Sequence, residues 1–334
     1  MKAIATSYDP STKNYSFRQV ELPRPELRPD DVLVEVRAFA TNPADFKVAA
    51  GRGRGPEPLI VGWDFAGVVI ERGARATGFE IGDEVYGAGD ISRPGSYAEL
   101  VAVDSRVIAK KPGTLSFAEA AALPLTSLTA WEALIGRPEL GLDQPSTVLL
   151  IGGAGGVGSV AIQLLKARTQ ARVIATASRP ESIAWVKKLG ADHTIDHHQD
   201  LAGQLEALGI HAVDAVLSTA HSDRLLPAIN AILRPFGNLS LIDDPSVLDI
   251  TALKRKAISV HWELMFTKTL YGFELESQGR ILSEVAALVD AGKLRSTLGT
   301  RLIGATPEHL LQAQQTTTLG QAIGKTVIER AAHR

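Results

Sequence analysis

Residues Thr147 to Ser159 read Thr-Val-Leu-Leu-Ile-Gly-Gly-Ala-Gly-Gly-Val-Gly-Ser, and this stretch restricts the fold more tightly than any other. Thr147 to Ile151 is a continuous apolar run of strand length, of the kind buried on both faces of a parallel sheet. From Gly156 the apolar period changes: Val157, Val160, Ala161, Leu164 and Leu165 recur at helical spacing through about Arg168. Gly153, Gly155 and Gly158 fit G-x-G-x-x-G at that junction. Gly153 permits the turn, Gly155 lets a diphosphate approach the backbone, and Gly158 lets the helix pack close to the strand. The free N–H groups of Gly156, Val157 and Gly158, with the positive end of the helix dipole, suit an anion. Between a buried strand and an amphipathic helix the motif predicts dinucleotide binding; a glycine-rich turn that only closes a βα unit is the alternative.

The 334 residues suggest two domains, and an apolar share of 45% supplies a full core. A net charge of −2 gives no broad attraction for nucleic acid or an anionic membrane. The chain has no cysteine, so disulfides, thiolate metal sites and cysteine nucleophiles are excluded. The N-terminal segment lacks a secretory apolar core, and no apolar run reaches membrane-spanning length; a cytoplasmic protein is expected.

The first third reads as β-rich, with strands expected at Lys2–Tyr8, Ser16–Leu22, Val32–Ala40, Val61–Glu71, Glu84–Tyr86 and Tyr97–Val103. Ser116-Phe-Ala-Glu119 is a capping box that opens a helix, Pro124 ends it, and a second helix is expected over Leu125–Leu134. Strands and helices then alternate, as in a doubly wound sheet. The expected strands are Thr147–Ile151, Arg172–Thr176, His193–Ile195, Val213–Leu217, Asn238–Ile242 and Ile258–Trp262. Helices are expected from about Gly156, Pro180, Gln199, Ser222 and Leu248. Two amphipathic helices follow, Glu274–Ala291 closed by Gly292 and one from Pro307 to about Thr317. A last strand over Gly324–Glu329 has too few neighbours for its own sheet and is expected to pair back onto the first domain, making that domain discontinuous: 1–122, 123–264 and 265–334. The fold class is α/β, a Rossmann doubly wound parallel sheet plus a discontinuous β-rich domain.

The tip of the second Rossmann strand chooses between coenzymes. An acidic residue there takes the ribose hydroxyls of NAD. This chain carries Ser178 and Arg179 instead, a hydroxyl and a guanidinium suited to a 2′-phosphate, so NADPH is favoured over a solvated Arg179. His197, after the third strand, is placed to stack near the adenine or meet that phosphate. With His193 and His198 it matches no common zinc spacing, and a polar loop is the plainer reading. Ser218 and Thr219 end the fourth strand on the cofactor edge. Thr126 and Thr129 begin the helix after the first domain and are candidates to reach the nicotinamide or diphosphate.

Asn42-Pro-Ala-Asp45, Gly62-Trp-Asp-Phe-Ala-Gly67, Gly82-Asp-Glu-Val-Tyr86, Leu123-Pro-Leu-Thr126 and Gly152–Ser159 carry a resemblance that spans nearly the whole chain. Ala177-Ser-Arg-Pro-Glu-Ser182, Gly190-Ala-Asp-His193 and Asp243-Asp-Pro245 add to it. The sequence resembles the medium-chain dehydrogenase/reductase superfamily, in its quinone oxidoreductase branch, and within it the members named zinc-type alcohol dehydrogenase-like proteins. The resemblance implies a GroES-like catalytic domain, a Rossmann domain, a site in the cleft between them, NADPH, and usually a homodimer. It also aligns Asn42 and Asp45 with the family's active-site turn. Asn42 would meet the nicotinamide ribose or the acceptor oxygen, and Asp45 would fix the turn, or else the segment is an Asn-Pro turn without a role. Zinc alcohol dehydrogenases place a cysteine at Asn42-Pro-Ala-Asp45, a histidine at Trp63 and another cysteine around Leu123–Thr126. None of these stands here, so no bound metal is expected.

Without zinc, a conjugated acceptor is easier to reduce than a simple ketone, because its anion is delocalised and hydrogen bonds suffice to stabilise it. Hydride transfer to a quinone or α,β-unsaturated carbonyl is the leading expectation. Reduction of simple aldehydes or ketones, and an NADPH-binding sensor or structural protein with little turnover, are the alternatives. Lys47 is read as a donor to the developing oxyanion or as a surface lysine. Trp63, Tyr86, Trp262 and Phe266 are read as the wall of an apolar pocket or as core. Lys325 is expected to close over the cofactor, and the segment from Gly51 to Pro58 to form a lid over the acceptor.

Overall fold

The computed structural model describes residues 1–52, 58–320 and 322–331. The chain divides into two compact units, Met1–Leu125 with Phe266–Arg334, and Thr126–Met265. In the first unit β1 (Lys2–Asp9) and β2 (Asn14–Glu21) pair as an antiparallel hairpin. Then come β3 (Asp31–Ala40), α1 (Pro43–Arg52), β4 (Asp64–Arg72), β5 (Glu84–Gly87), β6 (Leu100–Asp104) and β7 (Ile108–Lys110). β3 is the organising strand. It pairs antiparallel with β4 along its whole length and, on its other edge, with β6 over Asp31–Glu35. Val32, Leu33, Val34 and Val36 are buried in it, while Glu35 and Arg37 are half-buried on its more open face.

Two expectations shift here. The predicted strand over Val61–Glu71 starts at Asp64, because Gly62 takes a left-handed φ of 87° and ends any extended run before it. Asn42-Pro-Ala-Asp45, predicted as a turn, opens α1 instead, with proline at the first helical position, where a missing N–H does no harm. Residues 53–57 of the expected lid lie outside the described residues. α2 (Phe117–Ala121) carries the predicted capping box, Ser116 N donating to Glu119 Oε2 at 2.9 Å. α3 (Pro124–Ala130) runs into a π-helical turn, Trp131–Ile135, where a regular helix was expected.

The second unit is built on six parallel strands: β8 (Thr147–Ile151), β9 (Arg172–Thr176), β10 (His193–Ile195), β11 (Val213–Ser218), β12 (Leu233–Leu241) and β13 (Ser259–Trp262). The helices α4 (Gly156–Arg168), α5 (Pro180–Lys188), α6 (Leu201–Ala207) and α7 (Ser222–Ile232) alternate with them. The sheet order is β10-β9-β8-β11-β12-β13, so the winding reverses between β8 and β11. Leu149, Ile174, Val216 and Leu239 from the strands pack with Leu201, Leu205, Leu226 and Ile229 from α6 and α7 in one apolar core. Ligands of such sheets lie outside the carboxyl ends of the strands at the switch point.

The chain returns to the first unit with α8 (Thr267–Tyr271), α9 (Leu275–Asp290), β14 (Leu298–Ile303), α10 (Pro307–Thr318) and β15 (Lys325–Glu329). β15 pairs antiparallel with β3 at Ala38–Ala40 and parallel with β14. The last strand thus completes the sheet started by the first third of the chain, as its lack of local partners predicted. No helix among the described residues is long and apolar enough to cross a membrane.

Candidate functional site

In the second unit the glycine-rich turn leaves β8 and enters α4. Gly152 has a φ of 77° and donates its N–H to Thr176 Oγ1 at 2.9 Å, while Gly153 N reaches Thr176 O at 3.2 Å. A Cβ on Gly158 would stand 2.4 Å from Gly152 O, so helix and turn touch there and tolerate nothing larger. Gly155 differs. It is the N-cap of α4, no side chain caps the helix, and a Cβ there would meet nothing nearer than Gly152 O at 3.4 Å. The first turn of α4, with the N–H groups of Gly156, Val157 and Gly158, thus opens with no side-chain cap and with open space at Gly155, an arrangement that fits a diphosphate.

The neighbouring strand ends bring the other predicted residues to the same edge. Ser178 is exposed after β9; Arg179 is the N-cap residue of α5, its Nε 3.2 Å from Glu181 Oε1. After β10, His197 is half-buried, and its buried Nδ1 has no hydrogen-bond partner among the described residues. Burial pulls its imidazole below the usual range, and His198, His221 and Arg224 add a like-charge effect. Asp196, His197 and His198 hold one ligand atom each within 4.8 Å of one another, whereas His193 stays outside that group. Asp196 Oδ1 is engaged by His198 N at 2.9 Å and Oδ2 by Gln199 Nε2 at 3.2 Å. After β11, Thr219 Oγ1 donates to Ile151 O at 2.9 Å, and Ser218 Oγ accepts from Ser222 Oγ at 2.8 Å. Thr126 and Thr129 are both buried in α3, just before its π-helical turn, a distortion found disproportionately at functional positions.

The first unit holds a cluster that the sequence hinted at only in part. Lys325, 4% exposed, has its Nζ 2.9 Å from Asp64 Oδ2, donates to Thr41 O at 2.9 Å and donates to Asn42 Oδ1. Two hydrogen bonds and an ion pair hold the ammonium, so the lysine expected to close over a cofactor is engaged inside its own unit. Asn42 Nδ2 donates to Asp64 Oδ2 at 2.8 Å, and Leu125 N donates to Asp64 Oδ1 at 2.7 Å. One turn away, Asn42 N and Tyr97 Oη both donate to Asp45 Oδ2 at 2.7 Å. Asp45 Oδ1 is buried without a hydrogen-bond partner among the described residues. Burial pushes the Asp45 carboxyl up to about 7, against the lowering effects of Tyr97, Asn42 N–H and Lys325. Burial also drives the Tyr97 hydroxyl far above its ordinary range.

The remaining candidates separate. Lys47 lies exposed on α1, about 200° around the helix from Asp45. Trp63 and Phe266 meet edge-to-face at 5.5 Å, both buried, and the Trp63 indole donates to Asp90 O at 2.9 Å. Tyr86 is fully buried and donates to Leu282 O at 2.6 Å, the bonding of a core tyrosine, while Trp262 is 54% exposed. Asp64 and Tyr97 are the site residues that sequence reasoning missed. The available signal was Asp64 itself, an acidic residue at the head of the apolar run Phe65-Ala-Gly-Val-Val-Ile70.

Residues 28–113 match the alcohol dehydrogenase GroES-like domain, and residues 156–269 match the zinc-binding dehydrogenase family. A zinc-type alcohol dehydrogenase-like protein of Staphylococcus aureus strain MSSA476 is 33% identical over 321 residues, 93% of this chain and 94% of that protein. The chain belongs to the medium-chain dehydrogenase/reductase superfamily. Among solved members, a Rhizobium etli CFN 42 structure with a provisional zinc-dependent alcohol dehydrogenase name is 46% identical. It has a TM-score of 0.94 and covers 100% of this chain and 99% of its own. The quinone oxidoreductase of Coxiella burnetii is 30% identical with a TM-score of 0.80, covering 98% of this chain and 99% of its own. As a medium-chain dehydrogenase/reductase the chain is an oxidoreductase with two recognisable parts, a GroES-like unit and a dinucleotide-binding unit.

Proposed function

We propose that this medium-chain dehydrogenase/reductase is a zinc-independent, NADPH-dependent reductase that transfers hydride to a quinone or an α,β-unsaturated carbonyl. The observation that carries the reading is the donor set of the first unit. At the positions where zinc alcohol dehydrogenases keep their ligands stand Asn42, whose amide is bonded to Lys325 and Asp64, and Trp63, whose indole donates to Asp90 O. Neither offers a zinc ligand, and the chain has no cysteine. Catalytic zinc does not fit this constellation, although the family model carries zinc in its name. The quinone oxidoreductase name of the Coxiella relative supports the acceptor class.

Residues that would hold NADPH are Gly153, Gly155, Gly156, Val157 and Gly158 at the diphosphate, with Ser178, Arg179 and His197 toward the 2′-phosphate. Ser218 and Thr219 stand at the same sheet edge. When bound, the dihydronicotinamide supplies the hydride. The protein's part is to bind and orient the coenzyme and acceptor and to offer donors where negative charge develops. A delocalised enolate or hydroquinone anion needs only hydrogen bonds of that kind, whereas the alkoxide of a simple ketone needs a stronger electrophile. The family resemblance favours a cytoplasmic homodimer acting on small molecules rather than on nucleic acid or membrane.

The test is a turnover panel: NADPH or NADH with quinones, enones and saturated aldehydes, with and without a chelator. Oxidation of NADPH by conjugated acceptors alone, unchanged by chelator, is the expected outcome. Saturated-aldehyde reduction lost on chelation would establish the simple-carbonyl alternative, and tight coenzyme binding without turnover the sensor alternative.

A further inference from the structure

The Asn42 side-chain amide is bonded at both ends by ionisable partners, which is more than a buried asparagine needs for satisfaction. Its Oδ1 accepts from the Lys325 ammonium, and its Nδ2 donates to the Asp64 carboxyl at 2.8 Å, while Lys325 and Asp64 bond each other at 2.9 Å. Two hydrogen bonds and one ion pair close the three side chains into a ring, with Asn42 2%, Asp64 0% and Lys325 4% exposed. A cation at the carbonyl oxygen and an anion at the nitrogen pull the amide toward its charge-separated resonance form. In a low-dielectric enclosure, linked bonds strengthen one another in this way. The second Nδ2 hydrogen, for which the described residues provide no acceptor, becomes a stronger donor. The arrangement also fixes which end of the amide is oxygen, since only oxygen can accept from an ammonium.

We infer that Lys325 and Asp64 are positioning residues that polarise and lock Asn42, making its free Nδ2 hydrogen the donor for the oxyanion that develops on the acceptor. The inference rests on the reductase reading for the acceptor but not for the polarisation. No covalent step involves these residues. They hold a hydrogen bond that strengthens as charge arrives, the property that makes a donor catalytic rather than merely binding.

The chain contains only four asparagines, Asn14, Asn42, Asn230 and Asn238, so asparagine-selective 15N labelling yields four side-chain amide pairs. The Asn42 pair, assigned by its loss in Asn42→Ser, is expected well downfield of the other three. Lys325→Met and Asp64→Asn should each bring it back toward them. In turnover, Lys325→Met should lower kcat about 10- to 100-fold, less than the about 100- to 1,000-fold of a lost oxyanion donor because Asn42 itself remains. Coenzyme Kd should stay within about threefold, and Lys325→Arg should recover part of the rate. Combining Lys325→Met with Asn42→Ser should cost little beyond Asn42→Ser alone, because the two act as one unit. If Lys325→Met does not fold, Lys325→Gln and Asp64→Asn carry the same tests. An Asn42 pair that lies with the others, or that stays in place in the variants, overturns the inference. So does a rate loss matched by an equal loss of coenzyme affinity. If the wild-type protein turns over no conjugated acceptor, the reductase reading fails while the amide shifts still judge the polarisation.

Discussion

The phenolic hydroxyl of Tyr97 donates to Asp45 Oδ2 across 2.7 Å, and neither side chain has exposed surface. Among the described residues no cation reaches Asp45 at hydrogen-bond distance; Lys325 acts on it through its field. Neutralising the carboxyl is the way such a group avoids the burial of an uncompensated charge. The pair therefore links a proton to the seat of Asn42, whose backbone N–H lands on the same Asp45 oxygen.

That proton gives a pH dependence with a definite sign. Burial raises the Asp45 carboxyl from 3.8 to about 7, so the folded chain holds a proton that the unfolded chain has already lost between those values. This group's contribution to stability is full below about pH 4, declines as pH rises to about 7, and then levels, by an amount on the order of a few kcal/mol. Carboxyls held below their usual range, such as Asp83 and Glu119, act in the opposite sense at lower pH, so a comparison isolates the effect. Urea midpoints at pH 5, 6, 7 and 8 should show Asp45→Asn gaining on the wild type as pH rises. Parallel profiles would refute the assignment.

Gly62 is required twice over. Its φ is 87°, and a Cβ there would stand 2.2 Å from the Tyr97 ring. Gly62→Ala should cost about 3 kcal/mol or more by adding backbone strain to the displacement of a buried aromatic. Gly209→Ala, at a φ of 71° with nothing within 4 Å of its Cβ, supplies the strain alone and should cost about 1 kcal/mol. Equal losses in thermal or chemical unfolding would show that the Tyr97 contact is soft.

Two glycines of the same turn should part company. Gly158→Ala places a Cβ 2.4 Å from Gly152 O and should destabilise the protein by roughly 2 kcal/mol or more. Gly155→Ala has an ordinary φ of −71° and no close neighbour, and should change stability by about 1 kcal/mol or less. Its effect belongs to binding: NADPH Kd measured by fluorescence should rise about tenfold or more. Undiminished NADPH affinity in Gly155→Ala would mean that the diphosphate lies elsewhere.

Arg179→Ala tests coenzyme choice. The guanidinium Nε lies 3.2 Å from Glu181 Oε1, and a 2′-phosphate is a stronger partner than a carboxylate. Loss of a charged hydrogen bond of about 1.5 kcal/mol or more should raise the NADPH Kd about tenfold and leave NADH nearly unchanged. Calorimetry finding both coenzymes weakened alike would place Arg179 outside phosphate recognition.

The sequence was most legible where one local rule decided the outcome. Thr147–Ile151, Arg172–Thr176 and His193–Ile195 were read to the residue, because each is a short apolar or β-branched run bracketed by glycine or a helix start. α1 was missed because Asn-Pro-Ala-Asp spells a turn and the helix after it has only a weak apolar stripe. β14 was missed because Leu-Gly-Thr-Arg-Leu-Ile is mostly exposed and earns its strand state by pairing with β15. The site divides the same way. The glycine turn is contiguous, whereas Lys325 meets Thr41 and Asn42 across sequence separations of 284 and 283 residues, and no local pattern encodes such a meeting.

β15 gives the order of synthesis a physical consequence. While a ribosome is still adding residues, the edge of β3 at Ala38–Ala40 has no mate, and Asp64 sits in a nascent interior without the ammonium that will answer it. The middle of the chain has all six of its strands by Trp262 and can condense in the meantime. The N-terminal third, made before the middle, is thus the last to become whole, and a chain halted before Lys325 would leave it with an open flank and an unanswered carboxyl.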